Sequence, residues 1–163
     1  MMEVFFVRHG QAEDHGPSGD DHGRRLTEKG AAQARAVGEL LLKLNLEPDL
    51  VMTSPRARAF ETGVGIMAGV EQRGQPICQE WLNFDLRPQI VLDELAALPD
   101  EVTRVVLVGH EPTFSGMIAW LLGAETGFAE VKKASLAHFR LSPPSRRGSV
   151  LRMLVPVKAL LLG

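Results

Sequence analysis

The chain has 163 residues, 45% of them hydrophobic and 23% charged; this is the make-up of a globular protein able to bury one sizeable core, and it excludes disorder and fibrous architectures. The formal net charge is −2 and no Lys/Arg run exceeds two residues, which excludes a nucleic-acid binder that relies on a broad basic surface, so any anion site must be local. A lone cysteine, Cys78, and an N-terminal apolar run confined to Val4–Val7 predict a reduced cytoplasmic protein with no signal peptide and no membrane span, and Cys78 itself is expected to be a small buried hydrophobe.

Val4 to Val7 is apolar without polar alternation, the pattern of a central strand covered on both faces. Asp14 to Arg25 is rich in Gly, Asp and His and reads as a surface loop. Thr27 then offers an N-cap, and Ala31, Ala34, Val37, Leu41 and Leu44 recur at helical spacing, which predicts a helix to about Leu44. Leu50 to Thr53 is a second short strand. Ser54-Pro55 supplies a cap followed by proline at the first helical position, so the next helix is expected to start there, its end left open by Gly63, Gly65 and Gly69.

Arg73 to Pro76 reads as a turn, Ile77-Cys78 as a short strand and Gln79 to Pro88 as an irregular loop. A helix from about Gln89 to Leu98 is expected to bury Ile90, Leu92, Leu95 and Leu98. Arg104 to Val108 is another strongly apolar strand, ending in Gly109-His110 before a helix from Pro112 to about Leu122. SLAHFRL and GSVLRMLVP around the SPPSRRG turn form a β-hairpin. Alternating strands and helices closed by a hairpin give one domain over 1–163, an α/β sandwich with a largely parallel sheet.

In such sheets ligands bind outside the carboxyl ends of the strands, so Arg8, His9 and His110 share one crevice if their strands are neighbours. Arg58 sits one turn inside the Ser54-Pro55 helix, and helical side chains lean back toward the N-terminus, which brings its guanidinium toward the same place. Two guanidiniums, two imidazoles and a helix N-terminus suit a tetrahedral dianion such as phosphate. A neutral imidazole can attack phosphorus, and the cations around it can stabilise the moving phosphoryl group. Gly10 is expected to let the backbone approach the ligand closely.

Arg8-His9-Gly10 after the first strand, Ser54-Pro55 with Arg58-Ala59 and Thr62, and Gly109-His110 after an apolar strand together resemble the histidine phosphatase superfamily. The short chain and Arg24-Arg25-Leu26-Thr27 are most similar to its SixA-type phosphohistidine phosphatases. The resemblance covers about residues 3 to 156. It implies a phosphoglycerate mutase-like three-layer α/β/α sandwich with a central mostly parallel sheet and a covalent phosphohistidine on His9. It also implies phosphoryl binding by Arg8, Arg58 and His110, with one arginine of the Arg24-Arg25 pair at the mouth, and no metal or other cofactor. The expected substrate is a phosphorylated protein carrying phosphohistidine, or a small phosphate ester. The alternatives are a small-molecule phosphomonoesterase or mutase of the same superfamily, or a phosphate-binding module without turnover.

The larger mutase-like members carry a helical insertion bearing an acid, and the interval from Arg58 to His110 leaves little room for one. Glu80 and Asp85 are the nearest substitutes. An imidazole leaving group needs a dedicated acid far less than an alkoxide does, which favours an N–P substrate. Gln11 is a further candidate for binding a phosphate oxygen. His15 and His22, with Asp14, Asp20 and Asp21, lack metal-ligand spacing and read as a solvated loop. Arg56 reads as a solvated neighbour, His138 as structural, Glu111 as neutral, and Trp81, Phe84 and Trp120 as core or loop-anchoring aromatics.

Overall fold

A computed structural model describes residues 1–161. Six strands form one sheet: β1 (Met2–Arg8), β2 (Leu50–Thr53), β3 (Ile77–Cys78), β4 (Arg104–Gly109), β5 (Leu136–Ser142) and β6 (Ser145–Val155), in the order β3-β2-β4-β1-β5-β6. The first four run parallel, and β5 and β6 add an antiparallel hairpin beside β1. The helices are α1 (Glu28–Lys43), α2 (Ala57–Gly69), α3 (Pro88–Ala96) and α4 (Thr113–Leu121), with 3₁₀ turns at Glu80–Leu82 and Val157–Ala159. No helix is long and apolar enough to cross a membrane.

The order of the strands explains the layers. From β1 to β2 to β3 the chain steps toward one edge, and from β3 to β4 it steps back; right-handed crossovers in opposite directions put their helices on opposite faces. Accordingly α1 and α2 bury Val37, Leu41, Ala59 and Ile66 against Phe5, Val7, Val106 and Val108. On the other face α3 and α4 bury Leu92, Leu95, Phe114 and Met117 against Val4, Phe6, Val105 and Leu107. Alternate residues of β1 and β4 thus serve alternate cores, which is why both strands lack polar positions. Phe5, Phe6 and Val7 are fully buried. Their end of β1 is a rigid mount, and truncating Phe6 to alanine would cost about 3–5 kcal/mol.

Thr27 caps α1 as expected, its side chain accepting from the Gly30 amide. Several expectations need correction. Ala31 and Leu44 are exposed, because the buried stripe of α1 is narrower than the apolar pattern and is shared with Gly30, Gln33 and Gly38. Helix α2 starts at Ala57, two residues later than the Ser54-Pro55 signal implied, and Ser54 caps nothing in it. It also runs through all three glycines: Gly65 and Gly69 admit α1, a Cβ on Gly69 lying 2.4 Å from the Arg35 carbonyl oxygen and one on Gly38 of α1 2.2 Å from that of Ile66, while Gly63 packs on Thr53 and Pro76. In α3 it is Val91, with Leu92 and Leu95, that is buried, while Ile90 and Leu98 are only partly covered. Cys78 is exposed, because β3 is a two-residue edge strand with no layer over that position.

Candidate active site

Strands β1 and β4 are hydrogen-bonded neighbours with Arg8 opposite Gly109, and the pairing continues one step as the His9 amide donates to the Gly109 carbonyl at 3.0 Å. His9 and His110 therefore leave the sheet side by side, their ring centroids 5.3 Å apart. His9 is 6% exposed. Its Nδ1 lies 2.7 Å from the Gly10 carbonyl oxygen, which can only accept, so the ring proton sits on Nδ1 and Nε2 keeps its lone pair. Arg58 Nε donates to that lone pair at 3.3 Å. Burial, opposed by the Gly10 hydrogen bond and reinforced by the charges of Arg58, Arg8 and Lys133, lowers the His9 pKa to about 4. The result is a neutral imidazole with a directed nitrogen.

Arg58 is 3% exposed and held at both ends of its guanidinium. Its Nη1 donates to the Asp21 backbone oxygen at 2.9 Å and its Nη2 lies 3.2 Å from Asp21 Oδ2. The same carboxylate takes Arg24 Nη1 at 3.1 Å and also pairs with Arg56 Nη1. Burial pulls the Asp21 pKa upward, but the Arg24 hydrogen bond and the charges of Arg58 and Arg56 outweigh it and hold the carboxyl below its usual range. The loop before α1 is thus tied down: the Ala57 amide at the start of α2 donates to the His22 carbonyl at 3.1 Å.

His110 is 1% exposed, and its Nε2 lies 2.8 Å from Ser54 Oγ. Burial, followed by coupling to the adjacent His9 ring and the charges of Arg58 and Arg56 and opposed by Asp21, brings its pKa down to about 3. Its Nδ1 is buried without a partner among the described residues. Phe84 stands 4.6 Å from the His110 ring, with Arg56 4.2 Å above the Phe84 centroid. Thr62 fastens the two motif blocks together, accepting from the Gly10 amide at 3.0 Å and donating to the Arg58 carbonyl at 2.7 Å.

Residues 4–82, which hold the first two of these blocks, match the family model of the histidine phosphatase superfamily, branch 1. An uncharacterised protein of Picosynechococcus sp. is 32% identical over 145 residues, covering 85% of each chain. The chain belongs to the histidine phosphatase superfamily. A solved structure of the protein histidine phosphatase SixA complexed with tungstate matches with a TM-score of 0.85 at 24% identity, covering 98% of this chain and 99% of that one. A phosphoserine phosphatase from Entamoeba histolytica matches with a TM-score of 0.73 at 17% identity, covering 99% of this chain and all of that one. At such identities the superpositions establish the fold, a phosphoglycerate mutase-like α/β sandwich.

Within this family framework the other predicted residues divide. Arg24 joins the Asp21 cluster, whereas Arg25 turns away to pair with Glu61 at 3.1 Å and is not part of it. Gln11 serves through its backbone, donating to Gln33 Oε1 and accepting from the Thr27 amide, and its side chain bonds none of the site residues. Glu80 and Asp85 are exposed and make no hydrogen bond or ion pair with His9, Arg8, Arg58 or His110. Glu111 Oε1 is occupied in capping α4 at the Ser115 amide, 2.7 Å away. Gly10 is needed for a different neighbour than expected: a Cβ there would lie 2.7 Å from the Gly30 carbonyl oxygen, so its smallness admits the start of α1. His138 stacks 4.4 Å from Phe5 beneath the sheet, with Nε2 3.2 Å from Glu3 Oε1.

Read from sequence, Asp21, Arg56 and Phe84 have no part in the site and Ser54 is a helix cap, whereas the structure places all four around Arg58 and His110. The Asp21 loop looked solvated because loops of Gly, Asp and His usually are, and Arg56 is distinguished from any exposed helix arginine only by Asn83, Asp21 and Phe84 around it. The one available signal was the acidic residue three before Arg24, the spacing at which the two side chains meet here.

Proposed function

We propose that this chain hydrolyses the phosphoryl group of a phosphohistidine, carried on a protein, through a covalent intermediate on His9. The observation that carries the reading is the His9 geometry: a buried neutral ring with its proton on Nδ1, its Nε2 lone pair accepting from Arg58 Nε until a phosphoryl group takes that place. In the first step Nε2 attacks phosphorus, the N–P bond of the substrate breaks, and the departing imidazole nitrogen takes up a proton from solvent water. Water then attacks the phosphorus on His9, the Nε2–P bond breaks, and inorganic phosphate leaves with the free imidazole restored.

Arg8 and Arg58 neutralise the phosphoryl oxygens, and Arg24 extends the positive rim. Ser54 accepts from the Arg56 amide at 3.3 Å, so its hydroxyl hydrogen is free to bond His110 Nε2, which leaves the His110 proton on Nδ1 as the ring's available donor for a phosphoryl oxygen. The preference for N–P over O–P rests on the carboxylates. Asp21 is held ionised by arginines, Glu111 caps a helix, and Glu80 and Asp85 are exposed and neither hydrogen-bond nor pair with any of the four central residues. An imidazole leaving group needs no strong acid, whereas an alkoxide does.

The test is a panel of a phosphohistidine protein, a phosphohistidine peptide and simple phosphate esters, run on wild type and His9→Ala. Faster turnover of the N–P substrates, abolished by His9→Ala with loss of the rapid-quench phosphoenzyme, is the expected result. Ester turnover far exceeding N–P turnover would replace this reading with a small-molecule phosphomonoesterase, and binding of phosphate with no labelled His9 would leave a non-catalytic phosphate-binding module.

A further inference from the structure

Beside the β1 end that carries His9 lies a second set of cations, of which the reaction above uses only Arg8. The Ala134 amide donates to the carbonyls of both Arg8 and His9, at 2.9 and 3.1 Å, so the segment just before β5 is fastened to the catalytic strand end. Lys132 and Lys133 immediately precede that anchor. They line a cavity of about 340 Å³ together with Arg8, Gln33, Val157 and Lys158. A second cavity of about 400 Å³ adjoins it, sharing Gln33, Val157 and Lys158 and adding Lys29. The two form one open groove with five cations along its walls, an apolar floor that includes Val157, and no carboxylate among its lining residues.

This concentration stands out in a chain of net charge −2. Its cations are also poorly satisfied. Lys132 reaches Glu130 only at 3.9 Å with both side chains largely exposed, and neither Lys133, Lys158 nor Lys29 pairs with a carboxylate among the described residues. Arg8 uses Nη1 on the Val131 carbonyl at 3.0 Å, while its Nε is buried with no partner among the described residues. A run of like charges compensated only by Glu130 and Glu111 outside the groove is stabilised by an incoming anion, and the groove begins at the residue that precedes the nucleophile.

We infer that this groove is a substrate subsite for a second acidic group, a carboxylate or phosphate borne by the same molecule whose phosphoryl group is delivered to His9. The inference rests on the proposed phosphatase reading and narrows its substrate class: a phosphohistidine protein with acidic side chains beside the modified residue. The same chemistry would be met by a small phosphate ester carrying a second acid, and the experiment separates the two.

Turnover is measured for a phosphohistidine peptide flanked by glutamates, for the same peptide with glutamines, and for phosphoramidate, which has one phosphoryl group and nothing else. Two esters, with and without a second carboxylate, complete the set. Wild type should favour the acidic peptide by about tenfold or more in kcat/KM at low salt, chiefly through KM, and lose that preference as salt is raised. Lys132→Ala with Lys158→Ala should equalise the two peptides and leave phosphoramidate turnover within about twofold, and Lys158→Glu should turn the preference against glutamate. Equal use of both peptides by wild type, or a preference that survives the double substitution, overturns the subsite. Phosphohistidine and phosphoramidate left untouched while the carboxylate-bearing phosphate ester is turned over in a Lys132- and Lys158-dependent way would sink the phosphohistidine reading and assign the same groove to a small molecule.

Discussion

Two cationic clusters flank His9, and they are built in opposite ways. On one side Arg24, Arg56 and Arg58 converge on a single carboxylate, Asp21, whose backbone oxygen and Oδ2 grip the guanidinium that touches His9 Nε2. In the other cluster Arg8, Lys132, Lys133 and Lys158 share a groove with no carboxylate in its lining, the nearest ion pair being the exposed Lys132–Glu130 contact at 3.9 Å. The contrast separates two jobs that positive charge can do. A guanidinium that must hold a fixed position against a reacting nitrogen needs partners of its own, because preorganised dipoles and charges stabilise a transition state without having to move. Cations that only receive an anion are better left unpaired, since an internal carboxylate would have to be displaced first.

The largest effect expected from breaking this arrangement is at its centre. His9→Ala should reduce turnover to background, and Arg58→Ala should lower kcat by ~100- to 1000-fold, the scale for losing one preorganised transition-state partner. A smaller Arg58 effect, in steady-state assays on folded protein, would mean that the first cluster is not organised around the chemistry. Asp21→Asn comes next. It keeps the shape but removes the charge that fixes Arg58, and kcat should fall about tenfold with KM for phosphoramidate changed little, a split that mere damage to the fold would not give. Asp21→Glu should recover part of that loss.

Acidity tests the same cluster by another route. A free imidazole titrates near 6.5, but burial and the adjacent cations hold His9 near 4 and His110 near 3, so both are neutral across the physiological range. The acid limb of kcat/KM should therefore fall away near pH 4, and a limb near 6.5 would show that His9 is not held this way. The unfolded chain binds protons on these rings below about pH 6.5 while the native state does not, so stability declines as pH drops from there toward 4. The slope should be about 1.4 kcal/mol per pH unit for each ring, read from urea unfolding midpoints and removed in part by His110→Ala.

The smallest expected effects mark where the first cluster ends. Arg24→Ala should raise KM several-fold by removing one of the partners of Asp21, while Arg25→Ala, which only breaks an exposed pair with Glu61, should leave kinetics within about twofold and stability within about 0.5 kcal/mol. Equal effects of the two would blur the boundary between loop residues that serve the site and those that do not.

The sequence by itself determined the elements that carry the centre of the site. Uninterrupted apolar runs announced β1 and β4 because a strand covered on both faces has no solvent position to fill. The rule that ligands gather at the carboxyl ends of such strands then placed Arg8, His9 and His110 before any contact was visible. What only the tertiary structure decided concerns short polar residues and glycines, whose local preferences are weak or many-valued. Ser54 reads as a helix cap and instead hydrogen-bonds His110; Gly10 reads as room for a ligand and Gly69 as an open helix end, and both instead let helix α1 pack closely. Asp21, Arg56, Phe84 and the lysines near β5 acquire meaning only from partners distant along the chain. Charge and hydrogen-bond geometry are pairwise quantities, and one-dimensional spacing cannot supply the second member of the pair.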